Sequence, residues 1–244
     1  MDRFTYRVQL AYRGSAFAGF ARQPGQITVE GVVVAALSPL IPELQGVSVG
    51  GRTDRGVHAI GQVISFWSRR PLETEAIEAA LDRAQPGDLS ASDVRLVPRR
   101  FHAQHSAQLR RYAYFYEDSG RLDAALLDRL VGALSGRRSF HAFARDTSAG
   151  ASCVRRLYQA CAVRIDPRTI RFDFGAEGFL RRQVRVMVAT ALREAQHGAD
   201  DEALLRLAEQ GDRRATAAPA DPDGLYLTYV GYEPLRTRAR RIGR

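Results

Sequence analysis

The chain has 244 residues, 45% of them hydrophobic, enough to bury the core of one large domain or two small ones. Lysine and arginine total 36 against 27 acidic residues, every one of those cations is an arginine, and the net charge of +9 favours a polyanionic partner. No window reaches the ~18 apolar residues of a membrane span, residues 1–12 lack the apolar core of a signal peptide, and two cysteines (Cys153, Cys161) supply neither a disulfide framework nor a four-ligand zinc site, so a reducing, cytoplasmic setting without a membrane partner is expected.

Residues 6–12, "YRVQLAY", alternate as a strand does. Gly14, Gly19 and "QPGQ" punctuate a loop, after which Thr28 caps a helix carrying Val32, Val33, Ala36 and Leu37 that Pro39 stops. A strand near residues 47–49 leads into a glycine-rich loop, followed by the apolar strand "QVISFW" at 62–67. A helix over about 74–84 ends at "QPGD", and 92–97 forms another strand. Strand, helix, strand, strand, helix, strand is the order of the split-βαβ, ferredoxin-like unit.

The second half repeats the theme. Residues 110–117, "RRYAYFYE", form a strand and 122–134 a helix; "ACAVRID" and "TIRFDFGA" make a hairpin around Asp166-Pro167. A long helix spans about 179–196, a short one 200–209, and 224–232 closes as a strand. The expected class is α+β: two ferredoxin-like halves share a largely antiparallel central sheet, with helices packed on its faces and an active-site cleft between the halves. Residues 1–104 form the half that carries the glycine-rich loop, and 105–244 the half that completes the cleft, ending in a basic tail at 236–244.

The glycine-rich loop sets Asp54 between Arg52 and Arg55, flanked by Gly50, Gly51 and Gly56. Such a segment reads as a solvated turn, or as a rigid loop that aims one carboxylate, because glycine opens backbone angles closed to other residues. In "GFLRRQVRVMVATALRE", Leu180, Val184, Met187, Val188 and Ala191 mark a buried helical stripe, with Arg185 at its edge. An arginine there either snorkels to solvent or pairs with a carboxylate, and Asp54 is the candidate partner if the two segments meet. Tyr112, Tyr114 and Tyr116 share one strand face, as base-stacking aromatics or as sheet core. His58, His102, His105 and His141 show no metal-ligand spacing, so no metal is expected. A chain without lysine has no P-loop, and no G-x-G-x-x-G opens a helix after a strand, so no nucleotide cofactor is indicated.

Together these segments resemble the TruA family of tRNA pseudouridine synthases. "GRTDRGVHAIGQV" is similar to the family's G-R-T-D-x-G-V-H signature; "LAYRGSAFAGF" with "QP" and "TVEG", "FHAQHSAQLRRYAY", "GFLRRQVRVMVAT" and "TAAPADPDGLYLTYVGY" follow in the family's order. Departures fall at Arg13, where the family has Asp, at Gly19-Phe20-Ala21, where it has Gly-Trp-Gln, and at Ala189, where it has Gly. The resemblance implies isomerisation of uridine to pseudouridine in the anticodon stem-loop of tRNA, at the positions conventionally numbered 38 to 40. It assigns Asp54 as nucleophile, attacking either the sugar C1′ or the uracil ring, on a nucleotide flipped from its stem. Arg52 assists the flipping, Tyr112 packs on the target base as a candidate acid/base, Arg185 pairs with Asp54, and Leu225 walls the pocket. Arg55, Arg110 and Arg111 are candidate substrate contacts. No cofactor is implied by a redox-neutral isomerisation, and the expected partners are tRNA and a second copy of the chain. A non-catalytic RNA-binding protein would explain the charge and the tyrosines but not the G-R-T-D loop. A glycosidase-like hydrolase would need two acids across the scissile bond, and only Asp54 has a strong claim.

Overall fold

A computed structural model describes residues 3–145 and 150–233; the basic tail expected at 236–244 lies outside the described residues. The first half runs β1 (Phe4–Tyr12), α1 (Val29–Leu37), β2 (Ser48–Val49), β3 (His58–Ser68), α2 (Thr74–Asp82) and β4 (Leu89–Val97). The second runs β5 (Leu109–Glu117), α3 (Ala124–Gly132), β6 (Gly136–Ser139), β7 (Val154–Asp166), β8 (Thr169–Ala176), α4 (Gln183–Gln196), α5 (Ala203–Gln210) and β9 (Leu225–Gly231). The nine strands of the described residues join one sheet in the order β4-β1-β3-β9-β5-β8-β7-β6, with β2 paired to β3 off that path.

Both halves obey the same rule. With the short β6 set aside at the sheet edge, in each half the fourth strand lies beside the first, then the third and the second: β4-β1-β3-β2, then β9-β5-β8-β7. That is the split-βαβ arrangement twice over. The halves meet where β3 pairs with β9, at His58↔Tyr226 and Ala59↔Leu227, the one parallel pairing among the described residues in an otherwise antiparallel sheet. Gly61 permits that junction: a Cβ there would lie 2.2 Å from the Thr228 carbonyl oxygen. The helices α1 and α2 pack together, with α2 against β4; α3 packs on β7 and against α4 and α5. In the second half Ile170, Phe172 and Phe174 are buried, while Arg171 and Asp173 between them are half-exposed. Among the described residues no helix is long and apolar enough to cross a membrane.

Several element boundaries differ from the sequence reading, which also begins β3 at 62 rather than His58 and does not include β6. The strand expected over 92–97 starts at Leu89, and α3 is shorter at both ends than 122–134, beginning where the Asp123 carboxylate accepts from the Ala125 N–H at 2.8 Å. The outer hairpin strand starts at Val154 rather than near 160, pairing with β6 through Arg137↔Arg156 and Arg138↔Arg155. Those residues carry no apolar alternation; main-chain pairing alone makes them strands. The helix expected from 179 starts at Gln183, because Arg182 takes a left-handed φ of 61° and residues 179–182 form a turn. That turn enters the cleft.

Candidate active site

The loop between β2 and β3 carries Asp54 to the seam between the halves. It is tied down on every side. Pairing of β2 with β3 continues to Gly50, whose N–H reaches the Val63 carbonyl at 2.7 Å. Beyond it, Phe20 N–H donates to the Thr53 carbonyl at 3.0 Å, and Val57 N–H to the Asp54 carbonyl at 3.2 Å. Gly56, with φ of 81°, turns the chain back into β3 at a position closed to ordinary side chains. The aimed loop, rather than a solvated turn, is what these bonds make.

The Asp54 side chain opens into a cleft of about 930 Å³ built from both halves. Arg185 Nη1 lies 3.7 Å from one of its carboxylate oxygens and Arg181 Nε 3.9 Å from the other. These are ion-pair distances rather than hydrogen-bond distances. Arg185 sits in the first turn of α4 and is only 13% exposed. Burial lowers its pKa and the neighbouring Asp54 charge opposes that shift. Its Nε donates to the Ala220 carbonyl at 2.6 Å, while the Ala220 N–H donates back to the Arg185 carbonyl at 3.1 Å. Thus the segment ahead of β9 aims the guanidinium. Arg181, by contrast, is 54% exposed at the cleft mouth.

Tyr112 and Leu225 line the same cleft and are buried. Phe179 meets the Tyr112 ring edge-on at 5.2 Å between centroids. Burial, reinforced by the nearby hydroxyl of Tyr12 and the Asp54 charge, raises the Tyr112 pKa well above that of a free phenol. Tyr114 and Tyr116, on the same strand face, line a separate groove with Asp221 and Asp223. One face of β5 thus serves two different hollows.

The remaining candidates scatter. Arg52 and Arg55 are exposed on the cleft wall, and Arg55 Nη2 donates to the Gln26 side chain at 2.9 Å. Arg110 lines the cleft, but its guanidinium meets four main-chain carbonyls: Gly50 at 2.8 Å, Gln104 at 2.8 Å, Ala107 at 3.2 Å, and Glu177. A phosphate contact from Arg110 would have to displace those bonds. Arg111 points away from the cleft, 5.7 Å above the exposed Tyr229 ring. Arg13 pairs with Asp88 at 2.7 Å and leaves the cleft wall to others, whereas Phe20 and Ala21 both line it.

Three participants escaped the sequence reading. Arg181 and Phe179 lie in the turn that the helical pattern hid, and Gln62 is fully buried beneath the loop. A glutamine opening the apolar run "QVISFW" is the signal that could have found it, since a buried amide must be matched by partners.

A family model described as tRNA pseudouridine synthase matches residues 130–233. A "tRNA pseudouridine synthase A" of Lactiplantibacillus plantarum is 35% identical over 97% of this chain and 98% of its own length. Another, from Lacticaseibacillus casei, is 36% identical over 93% of this chain and 99% of its own. Of solved structures, a "Cbf5-Nop10-Gar1 Complex" is a distant likeness with a TM-score of 0.40 at 14% identity, covering 91% of this chain and 49% of that one. With a third of its residues shared along nearly its whole length, the chain belongs to the tRNA pseudouridine synthase A family and is an isomerase of that kind.

Proposed function

We propose that this protein converts uridine to pseudouridine in the anticodon stem-loop of tRNA, at positions 38 to 40, with Asp54 as nucleophile on a flipped-out nucleotide. The observation that carries the reading is the Asp54 carboxylate on the wall of a cleft formed by both halves, with guanidinium groups at 3.7 and 3.9 Å. A carboxylate facing two cations across an open cleft suits a nucleophile.

The reaction replaces the C1′–N1 bond by a C1′–C5 bond; C5 loses a proton and N1 gains one. No electrons are exchanged, so the chemistry calls for no redox cofactor. A base in a stem is reached only after extrusion, which costs a few kcal/mol of stacking and pairing. Arg52 enters the vacated space, a role its exposed position on the cleft wall supports. The detached uracil has to turn without escaping, and Tyr112, Phe179 and Leu225 supply apolar walls for that step. Tyr112 packs on the target base and acts as acid/base at the ring carbon; burial raises its pKa, so its resting form is the phenol. The two halves, divided near residue 105, grip the stem-loop between them. The protein acts in the cytoplasm as a homodimer, the basic surface of one subunit steadying tRNA at the other's site.

Replacement of Asp54 by Ala is expected to leave tRNA binding intact while abolishing tritium release from tRNA carrying 5-³H-uridine. Surviving activity would refute the nucleophile assignment. Release of free uracil by the parent enzyme would point to hydrolysis instead. Substrates with uridine at only one of positions 38, 39 or 40 test the site preference.

A further inference from the structure

Beneath the Asp54 loop lies a buried polar cluster that no step of the chemistry uses. Main-chain pairing between β2 and β3 ends at Gly50, and at Gly51 the Gln62 side chain takes its place. The Gln62 amide oxygen accepts from the Gly51 N–H at 3.3 Å, and its nitrogen donates to the Gly51 carbonyl at 2.6 Å. One side chain thereby brackets a whole residue of the loop. The same nitrogen donates its second hydrogen to the Tyr12 hydroxyl at 3.1 Å, and the oxygen accepts a second bond from the Val63 N–H at 3.1 Å. All four bonding positions of the amide are filled. Tyr12, in turn, shares a 2.8 Å bond with the Thr53 hydroxyl, immediately before Asp54. Gln62 is 0% exposed and Tyr12 5%, so water does not compete for these groups.

We propose that Gln62 and Tyr12 are positioning residues that hold Gly51 to Thr53 in one conformation and so fix the Asp54 carboxylate before substrate arrives, an inference that rests on Asp54 being the reacting group. The physical need is clear from the ion pairs. At 3.7 and 3.9 Å the guanidinium groups of Arg185 and Arg181 attract the carboxylate without clamping it by direct hydrogen bonds. Orientation must therefore come from the backbone below, and the buried amide provides it. Arg110 closes the other side through its 2.8 Å bond to the Gly50 carbonyl, linking the loop to Gln104 and, in the second half, to Ala107 and Glu177. A displacement of about 1 Å at a reacting atom can cost on the order of 100-fold in rate.

The test compares Tyr12→Phe and Gln62→Met with the parent and with Asp54→Ala. The readouts are single-turnover tritium release at saturating tRNA, tRNA affinity and thermal stability. Both variants are expected to lose roughly 10- to 100-fold in saturating rate with unchanged tRNA affinity, measured well below their melting temperatures. The double variant should lose no more rate than the worse single one, because both changes break the same chain of bonds. If Gln62→Met does not fold, Tyr12→Phe decides alone, since it removes only a hydroxyl. Parent-like saturating rate in folded Tyr12→Phe would overturn the proposal, as would weakened tRNA affinity with the saturating rate intact, or losses that multiply in the double variant. Activity in Asp54→Ala would instead refute the nucleophile reading and is read independently of the other two.

Discussion

Tyr12 is fully buried against Thr53 and Gln62, and burial pushes its pKa up to about 12 despite both hydrogen bonds. An unfolded chain releases the same proton near pH 10. Stability from this group is therefore complete below pH 10 and is lost as pH rises toward 12, at about 1.4 kcal/mol per pH unit. Chemical denaturation of Tyr12→Phe between pH 9.5 and 11.5 should show a shallower decline than the parent; identical slopes would show that the hydroxyl titrates freely in the fold. The loop above it was legible as a motif: Asp54 among glycines and arginines stands out in any reading of the chain. Arg185 was legible as a charge at the edge of an apolar stripe. Arg110 was not, because a pair of arginines opening a strand gives no hint that one meets four carbonyls while its neighbour stacks on Tyr229 across the sheet.

At the scale of elements, the junction of β3 with β9 decides whether the cleft exists. Gly61 to Ala would push a methyl to 2.2 Å from the Thr228 carbonyl oxygen and force the halves apart. A cost of ~1–3 kcal/mol, typical of overpacking, is expected, with loss of activity beyond what the fall in melting temperature explains. Gly132 in α3 is the control, since a Cβ there meets only the Ala160 carbonyl at an ordinary 3.9 Å. Its change to Ala should leave both stability and activity at or above the parent level; a Gly61 variant that behaves the same way would show that the seam yields. The turn ahead of α4 matters similarly. Had the helix begun at Phe179, as its apolar spacing invites, Arg181 would follow the helical screw; the left-handed Arg182 instead lets Arg181 and Arg185 approach Asp54 from two sides.

For the whole molecule, the net charge of +9 has a destination. Arg52, Arg55, Arg155, Arg181, Arg182 and Arg185 reach the cleft wall, and Asp54 is its one acidic residue among the described residues. Phosphates of a bound tRNA would meet a field of one sign everywhere except at Asp54. Affinity for tRNA is accordingly expected to fall steeply with salt, with a log–log slope of about −0.7 to −0.9 per phosphate neutralised. A filter-binding series from low to high salt measures it, and a flat response would remove backbone electrostatics as the main source of affinity.

Local periodicity, turn chemistry and composition were enough to read the element order of the first half, most of that of the second (β6 excepted), the α+β class, the basic character and the loop that bears Asp54. Tertiary structure alone decided the parallel seam between β3 and β9, the second guanidinium at Asp54, the occupation of Arg110 by carbonyls and the amide of Gln62 that stands in for a strand. Each of those depends on which distant backbone arrives at a side chain, and residue spacing along one chain carries no record of that meeting.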